Sequence, residues 1–234
     1  MTPLSLKAAE GAEERVIELH GDQHITGKQV WRDATYKVHG NIHLPRGSEL
    51  TVDHATIELM NSRYSEFTIV WEGGTLLTRN HSAVGGTEDI CSYFAVNNGK
   101  WDAKDTAIQH CCGTFVSDSG EFIGDNIIDT DSSDWLHPDD GGKLTLKNST
   151  FNVEVYFDLH QGGIAEGDLP IGVPITRVFG GDTYWMELIN VIVSREWWLR
   201  LKVGPRSAPP ATLILKNYPQ GIAGFTTTED FGQD

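Results

Sequence analysis

The sequence predicts an all-β fold, a right-handed parallel β-helix (solenoid) of about eight coils. Two repeated features predict it. An apolar–x–apolar–x–polar pattern returns every 20 to 27 residues, and glycine precedes most copies by one to three positions. A coil this short buries almost nothing alone, but stacked coils pile their apolar side chains on one another. Crossovers between parallel strands are right-handed in nearly all known cases, which predicts the hand.

The polar position of the repeat predicts a ladder of side chains at one corner of the solenoid. In chain order it holds His54, Asn80, Asp105, Asn126, Asn148, Asp168, Asn190 and Asn217. Side-chain amides at such a position can pass hydrogen bonds from coil to coil, as in other stacked strands. We expect the ladder to point inward and to have a structural role. A leucine-rich repeat would place its Asn one position later, and a β-sandwich would not keep it in phase.

Each coil is expected to contain three short strands. The repeat itself is the first, a shorter apolar patch such as 55–57 is the second, and an apolar run before the glycine, such as 67–70, is the third. Glycine between the third strand and the next coil permits a turn with positive φ. We therefore predict one domain, with a cap over residues 1–20, coils over 21–220 and a tail over 221–234.

Composition argues against two classes of partner. Eighteen Lys and Arg against thirty-three Asp and Glu give a formal charge of −15, which repels nucleic acid and anionic membranes at long range. No run approaches the about 18 apolar residues of a membrane span. The first residues, Met1 to Ser5, lack the basic start and apolar stretch of a signal peptide.

Cysteine placement leaves two alternatives open. Cys91 and Cys112 each lie three residues before a phenylalanine, Phe94 and Phe115, which we assign to equivalent positions in adjacent coils. Stacked at one strand spacing, the two cysteines fall inside the Cα range of a disulfide. A buried, reduced pair is equally compatible with that placement. Cys111 would then face the other way.

One segment resembles a known architecture. Residues 25–31 (ITGKQVW), leading into 36–45 (YKVHGNIHLP), look like the first coil of secreted right-handed β-helix proteins of the pectate-lyase-like superfamily. The resemblance covers about residues 20–220 and is architectural. It implies an extracellular setting and a polysaccharide or glycan partner, although a fold does not by itself define an activity.

The resemblance suggests a catalytic set. Glycosidases of this superfamily pair carboxylates across coils, and its lyases need a base near the acidic proton of the substrate. Residues of these types fall on neighbouring predicted coils, and the candidates are His137, Glu154, His160, Arg177 and Arg195. Aromatic residues on which a sugar could stack are Trp71, Tyr156, Tyr184 and one member of the adjacent pair Trp197 and Trp198, since neighbouring residues of a strand face opposite ways.

An acidic stretch suggests a cation site. Residues 105–142 contain no Lys or Arg, and Asp129, Asp131 and Asp134 lie close together in that stretch. Several carboxylates on one turn suit Ca²⁺, which takes six to eight oxygen ligands. A solvated acidic turn without a bound ion is the competing interpretation.

Two classes of function follow. The first is an extracellular carbohydrate-active enzyme, a polysaccharide lyase or glycoside hydrolase. The second is a non-catalytic surface protein that binds glycan or self-assembles. Bare solenoid ends can stack, so we expect either a monomer or an end-to-end assembly.

Overall fold

The computed structural model describes residues 15–129, 135–138, 141–151, 154–159, 164–167, 175–180, 185–193, 197–201, 212–215 and 225–226. Apart from Ile175–Gly180, which pairs antiparallel with its two neighbours, their strands stack in parallel as a β-solenoid of about six turns. This confirms the predicted fold but not the predicted eight coils. In this part of the chain there is no helix that is long and apolar enough to cross a membrane.

The strands alternate around the solenoid in a fixed order. The described strands are β1 Val16–His20, β2 Gln23–His24, β3 Lys28–Arg32, β4 Thr35–His39, β5 Ile42–Pro45, β6 Glu49–Asp53, β7 Thr56–Leu59, β8 Ile69–Glu72, β9 Thr75–Arg79, β10 Ser82–Gly85, β11 Ser92–Val96, β12 Lys100–Gln109, β13 Cys111–Val116, β14 Glu121–Asp129, β15 Trp135–Pro138, β16 Lys143–Lys147, β17 Thr150–Phe151, β18 Glu154–Leu159, β19 Ile164–Gly167, β20 Ile175–Gly180, β21 Trp185–Val193, β22 Trp197–Leu201, β23 Thr212–Leu215 and β24 Phe225–Thr226.

Each turn of the solenoid has three sides, as the repeat predicts. The first and second sides, such as β6 and β7, belong to a 15-stranded sheet. The third side forms a nine-stranded sheet that runs from β2 to β24. In β12, β14 and β21 the first two sides are one continuous bent strand.

The core follows directly from the repeat. The first apolar position forms an in-register column in which every side chain is fully buried: Leu50, Leu76, Trp101, Phe122, Leu144 and Met186. Trp101 stacks on Phe122 with ring centroids 4.6 Å apart. The small residues Ala103 and Gly124 occupy the second apolar position of the same two strands, and they compensate for the size of these two rings. A Cβ on Gly124 would lie 2.8 Å from Leu146 and from Ile127, so this position has no room for a larger side chain.

The predicted ladder is present, and the corner conformation explains its polar composition. His54, Asn80, Asp105, Asn126, Asn148 and Asn190 all have φ between 49° and 57°. This left-handed region costs most L-residues about 1–2 kcal/mol, whereas Asn and Asp adopt it readily. Side-chain hydrogen bonds pass between coils: Asn126 Nδ2 donates to Asp105 Oδ1 at 2.7 Å, and Asn190 Nδ2 donates to Asn148 Oδ1 at 2.9 Å.

The expectation that the ladder points inward is wrong. Asn80 and Asn148 are exposed, and the side chain that turns into the core is the next one, such as Ala55 or Ser149. Side chains alternate between core and surface along a strand, and the left-handed corner residue shifts this alternation by one position. The corner side chain therefore lies at the surface, and the next one lies in the core.

The coil count is smaller because two predicted copies, at Ile164–Gly167 and Thr212–Leu215, do not join the column and instead pair with each other. Strand β16 pairs in register with β21, and Asn148 bonds to Asn190, 42 residues further along the chain. The copy at Ile164–Gly167 instead pairs with β20 and β23. It has Glu166 where the repeat needs its second apolar residue, and stacking it in the column would bury a carboxylate in the core.

The disulfide alternative is the one observed. Cys91 and Cys112 are bonded, with Cα atoms 5.4 Å apart. The assumed equivalence of Phe94 and Phe115 is wrong, however, since Phe115 pairs with Ala95. The register between β11 and β13 also changes by one residue, because Ser92 pairs with Cys111 whereas Tyr93 pairs with Gly113. Within this irregular segment Cys111 is buried like Cys112, so simple alternation does not hold there.

Candidate functional site

One row of residues, termed the outer row, crosses the nine-stranded sheet along the solenoid axis. Strand register aligns in it His24, His43, Val70, Ala95, Phe115 and His137. Leu44, Phe94 and Val116 flank members of this row in their own strands and are fully buried. Because side chains alternate along a strand, the half-buried members such as Phe115 face outward.

The backbone register extends the outer row toward the C-terminus. Trp135 and Leu136 pair with Glu154 and Val155, which brings Tyr156 to the position next to His137. Tyr156 in turn pairs with Trp198 of β22. Two of the aromatic residues that the sequence suggested for sugar stacking therefore share a row with Phe115.

The structure brings together only some of the predicted catalytic residues. His137 and Glu154 lie on neighbouring strands, β15 and β18, two register positions apart. Arg177 lies on β20, which belongs to the other sheet, and it pairs there with Leu188. His160 and Arg195 lie outside the described residues.

The predicted calcium ligands are only partly described. Asp129 ends β14, between Ile108 and Phe151 of the neighbouring strands, and it is only 4% exposed. The carboxylate of Asp129 is therefore buried. Asp131 and Asp134 lie outside the described residues, and the calcium site remains a prediction.

The aromatic residues divide into core and surface in a way that sequence reasoning missed. Trp71, a predicted sugar platform, is buried and packs near Trp101 with ring centroids 6.1 Å apart. Phe115 faces outward instead and contacts Tyr93, with ring centroids 5.1 Å apart. Burial raises the pKa of the Tyr93 phenol. The sequence did not reveal this pair, because the register places Phe115 opposite Ala95 and not opposite the buried Phe94.

Two histidine pairs occupy the N-terminal coils, and sequence reasoning missed them as well. His20 stacks on His39 with ring centroids 4.6 Å apart, and His24 stacks on His43 at 4.5 Å. Both pairs repeat at 19 residues, a signal that comparison of the first two coils would have revealed. Glu18 joins the first pair, since its Oε2 lies 2.6 Å from His39 Nε2.

The first histidine pair has the geometry of a metal-ligand group. One potential ligand atom from each of Glu18, His20 and His39 lies within 4.8 Å of the others. Two imidazoles and one carboxylate are ligands that Zn²⁺ and related divalent metals bind. Among the described residues, this is the one such group of three or more His, Cys, Asp or Glu side chains.

The second histidine pair is arranged differently. The backbone amide of Asn41 donates to Asp22 Oδ1 at 2.8 Å, and this hydrogen bond holds the pKa of Asp22 below its usual value. His43 contacts two carboxylates through different nitrogens: Nε2 lies 3.5 Å from Asp22 and Nδ1 lies 3.6 Å from Glu72. These carboxylates approach opposite edges of one ring, so they do not converge on a common point with His24.

Comparison with known proteins adds no assignment. No protein-family model matches the sequence, and no curated protein or solved structure is significantly similar to it.

Proposed function

We propose that this protein is an extracellular carbohydrate-active β-helix protein, related to the pectate-lyase-like superfamily, and that it binds glycan along the outer row. The register that aligns Phe115, Tyr156 and Trp198 carries the proposal. Aromatic rings offer broad apolar faces on which the C–H faces of sugars can pack. Strands about 4.8 Å apart place these residues in sequence along the axis, in line with an extended polymer.

Two further observations support this setting and narrow the ligand. The Cys91–Cys112 disulfide is typical of an oxidising, extracellular compartment. The formal charge of −15 disfavours an anionic polymer, so a neutral polysaccharide is the preferred ligand. An acidic polymer would require a bridging cation, and Ca²⁺ at Asp129, Asp131 and Asp134 is our proposal for that case.

Binding is tested by affinity electrophoresis and calorimetry on a panel of neutral and uronate polysaccharides, with Ca²⁺ or with a chelator. Phe115→Ala and Trp198→Ala are expected to weaken binding at least tenfold. Trp31→Ala is the matched control, because it removes a half-buried aromatic ring from the other sheet. Equal loss of affinity in all three variants, or no binding by the wild type, would contradict the proposal.

Catalysis is the second candidate function, and the position of His137 and Glu154 on neighbouring strands beside the aromatic residues favours it. Glu154 would serve as an acid or base in a hydrolase, and His137 as the base of a lyase. His160, Arg177 and Arg195 belong to this proposal as predicted contributors.

Turnover is measured on the same polysaccharide panel by following reducing ends and unsaturated-uronide absorbance together. A gain of absorbance identifies a lyase, and reducing ends alone identify a hydrolase. Glu154→Gln should abolish either signal while it preserves binding. Binding without turnover would identify a non-catalytic module. An apparent molar mass, measured by light scattering, that grows with protein concentration in the absence of glycan would instead support the self-assembling alternative.

A further inference from the structure

The geometry points to a transition-metal site formed by Glu18, His20 and His39, which we propose binds Zn²⁺ and joins the first two coils of the solenoid. Glu18 and His20 lie two residues apart on β1, and His39 lies on the adjacent strand β4 in register with His20. Residues i and i+2 of a strand project from the same face. All three side chains therefore meet on one outer surface.

The distances are close to those that one ion requires. The three ligand atoms lie within 4.8 Å of one another, and Glu18 already contacts His39 at 2.6 Å. Zn²⁺ binds nitrogen and oxygen ligands at about 2.0–2.2 Å. Rotation of the exposed His20 and Glu18 side chains would close the remaining gap, while water would complete a tetrahedral site.

The position of the site gives it a structural consequence. β1 is the terminal strand in the described order of the 15-stranded sheet, and it pairs on one side with β4. Edge strands expose unpaired backbone groups and are held by few contacts. An ion bound by two ligands from β1 and one from β4 would fasten this strand to the second coil.

Competing histidines provide matched controls. His54 Nδ1 lies 3.0 Å from Asp33 Oδ1, but this pair has one imidazole and not two. His54 has a φ of 50°, so His54→Asn is a replacement that tolerates its backbone conformation. His24→Ala removes one member of the second stacked pair and leaves Glu18, His20 and His39 unchanged.

The experiment uses the untagged full chain, freed of metal by a chelator and then titrated with Co²⁺ and Zn²⁺. The wild type should bind one equivalent, with a visible Co²⁺ spectrum that Zn²⁺ displaces. His20→Ala and His39→Ala should weaken binding at least 30-fold and Glu18→Gln about tenfold, whereas His54→Asn and His24→Ala should bind as the wild type. Each variant is first checked for native circular dichroism.

A second measurement tests the structural consequence without using the visible spectrum. Zn²⁺ should slow amide hydrogen exchange in residues 16–20 of the wild type and have no such effect in His20→Ala. Wild-type affinity in the three ligand variants would overturn the proposal. So would an equal loss of affinity in His24→Ala, because that result would indicate diffuse binding to a histidine-rich surface.

Discussion

Replacement of Asn126 tests whether the ladder stabilises the solenoid through its hydrogen bonds, its backbone conformation, or both. Asn126 has a φ of 57° and its Nδ2 donates to Asp105 Oδ1 at 2.7 Å. Alanine removes the hydrogen bond, and its Cβ also makes the left-handed backbone conformation unfavourable. Glycine removes the same hydrogen bond but adopts that region without strain.

The magnitudes separate the two contributions. A hydrogen bond to a charged acceptor contributes about 1.5–3 kcal/mol, and the half-buried position of Asn126 favours the lower end. The left-handed conformation adds about 1–2 kcal/mol for alanine. We expect Asn126→Ala to lower the free energy of unfolding by about 2.5–3.5 kcal/mol, and Asn126→Gly to lower it by about 1 kcal/mol less.

Equilibrium unfolding in urea, followed by tryptophan fluorescence, measures both variants. Comparison requires an unchanged m-value, because stacked repeats can lose two-state behaviour. Gln109→Ala is the control, since it removes an amide side chain from a residue of β12 outside the ladder. Equal destabilisation by alanine and glycine would refute the conformational argument. Loss of less than about 0.5 kcal/mol in both would refute a stabilising role for the ladder.

Three other predictions concern stability. Closing a loop of 21 residues by the Cys91–Cys112 disulfide should stabilise the fold by about 3 kcal/mol, measured as the difference between Cys91→Ser/Cys112→Ser and wild type in urea; Cys111→Ser is the control that keeps the disulfide. Trp101→Ala should lose about 3–5 kcal/mol, because this ring is fully buried in the core column, and a thermal midpoint unchanged from wild type would contradict that placement. Burial raises the pKa of the Tyr93 phenol in the folded state above its usual value near 10. The neutral phenol therefore contributes its full share of the folding stability below pH 10, and this share is lost as the pH rises further. Tyr93→Phe should therefore show a smaller loss of stability between neutral pH and pH 11, and an equal loss would contradict the assignment.

Much of the fold follows from the sequence because a solenoid is built from local repetition. Each coil contacts mainly its neighbours, so a pattern that recurs every 20 to 27 residues determines both the strands and the column that they bury. The same repetition shows that Asn and Asp recur at one corner, and the structure supplies the reason, because the left-handed conformation there disfavours most other residues. Leu50 and Leu76 stack as their shared phase indicates.

Only the tertiary structure decided which coil stacks on which and where the register changes. In the sequence, the copy at Ile164–Gly167 looks like another turn of the solenoid. In the structure, Asn148 instead accepts a hydrogen bond from Asn190 of a later strand. The register between β11 and β13 places Phe115 opposite Ala95, at the surface and not in the core. The meeting of Glu18 with His39 likewise depends on pairing between strands that the chain separates by a full turn. Such contacts depend on strand register, and a slip of one residue exchanges the two faces of a strand, so local patterns alone do not determine them.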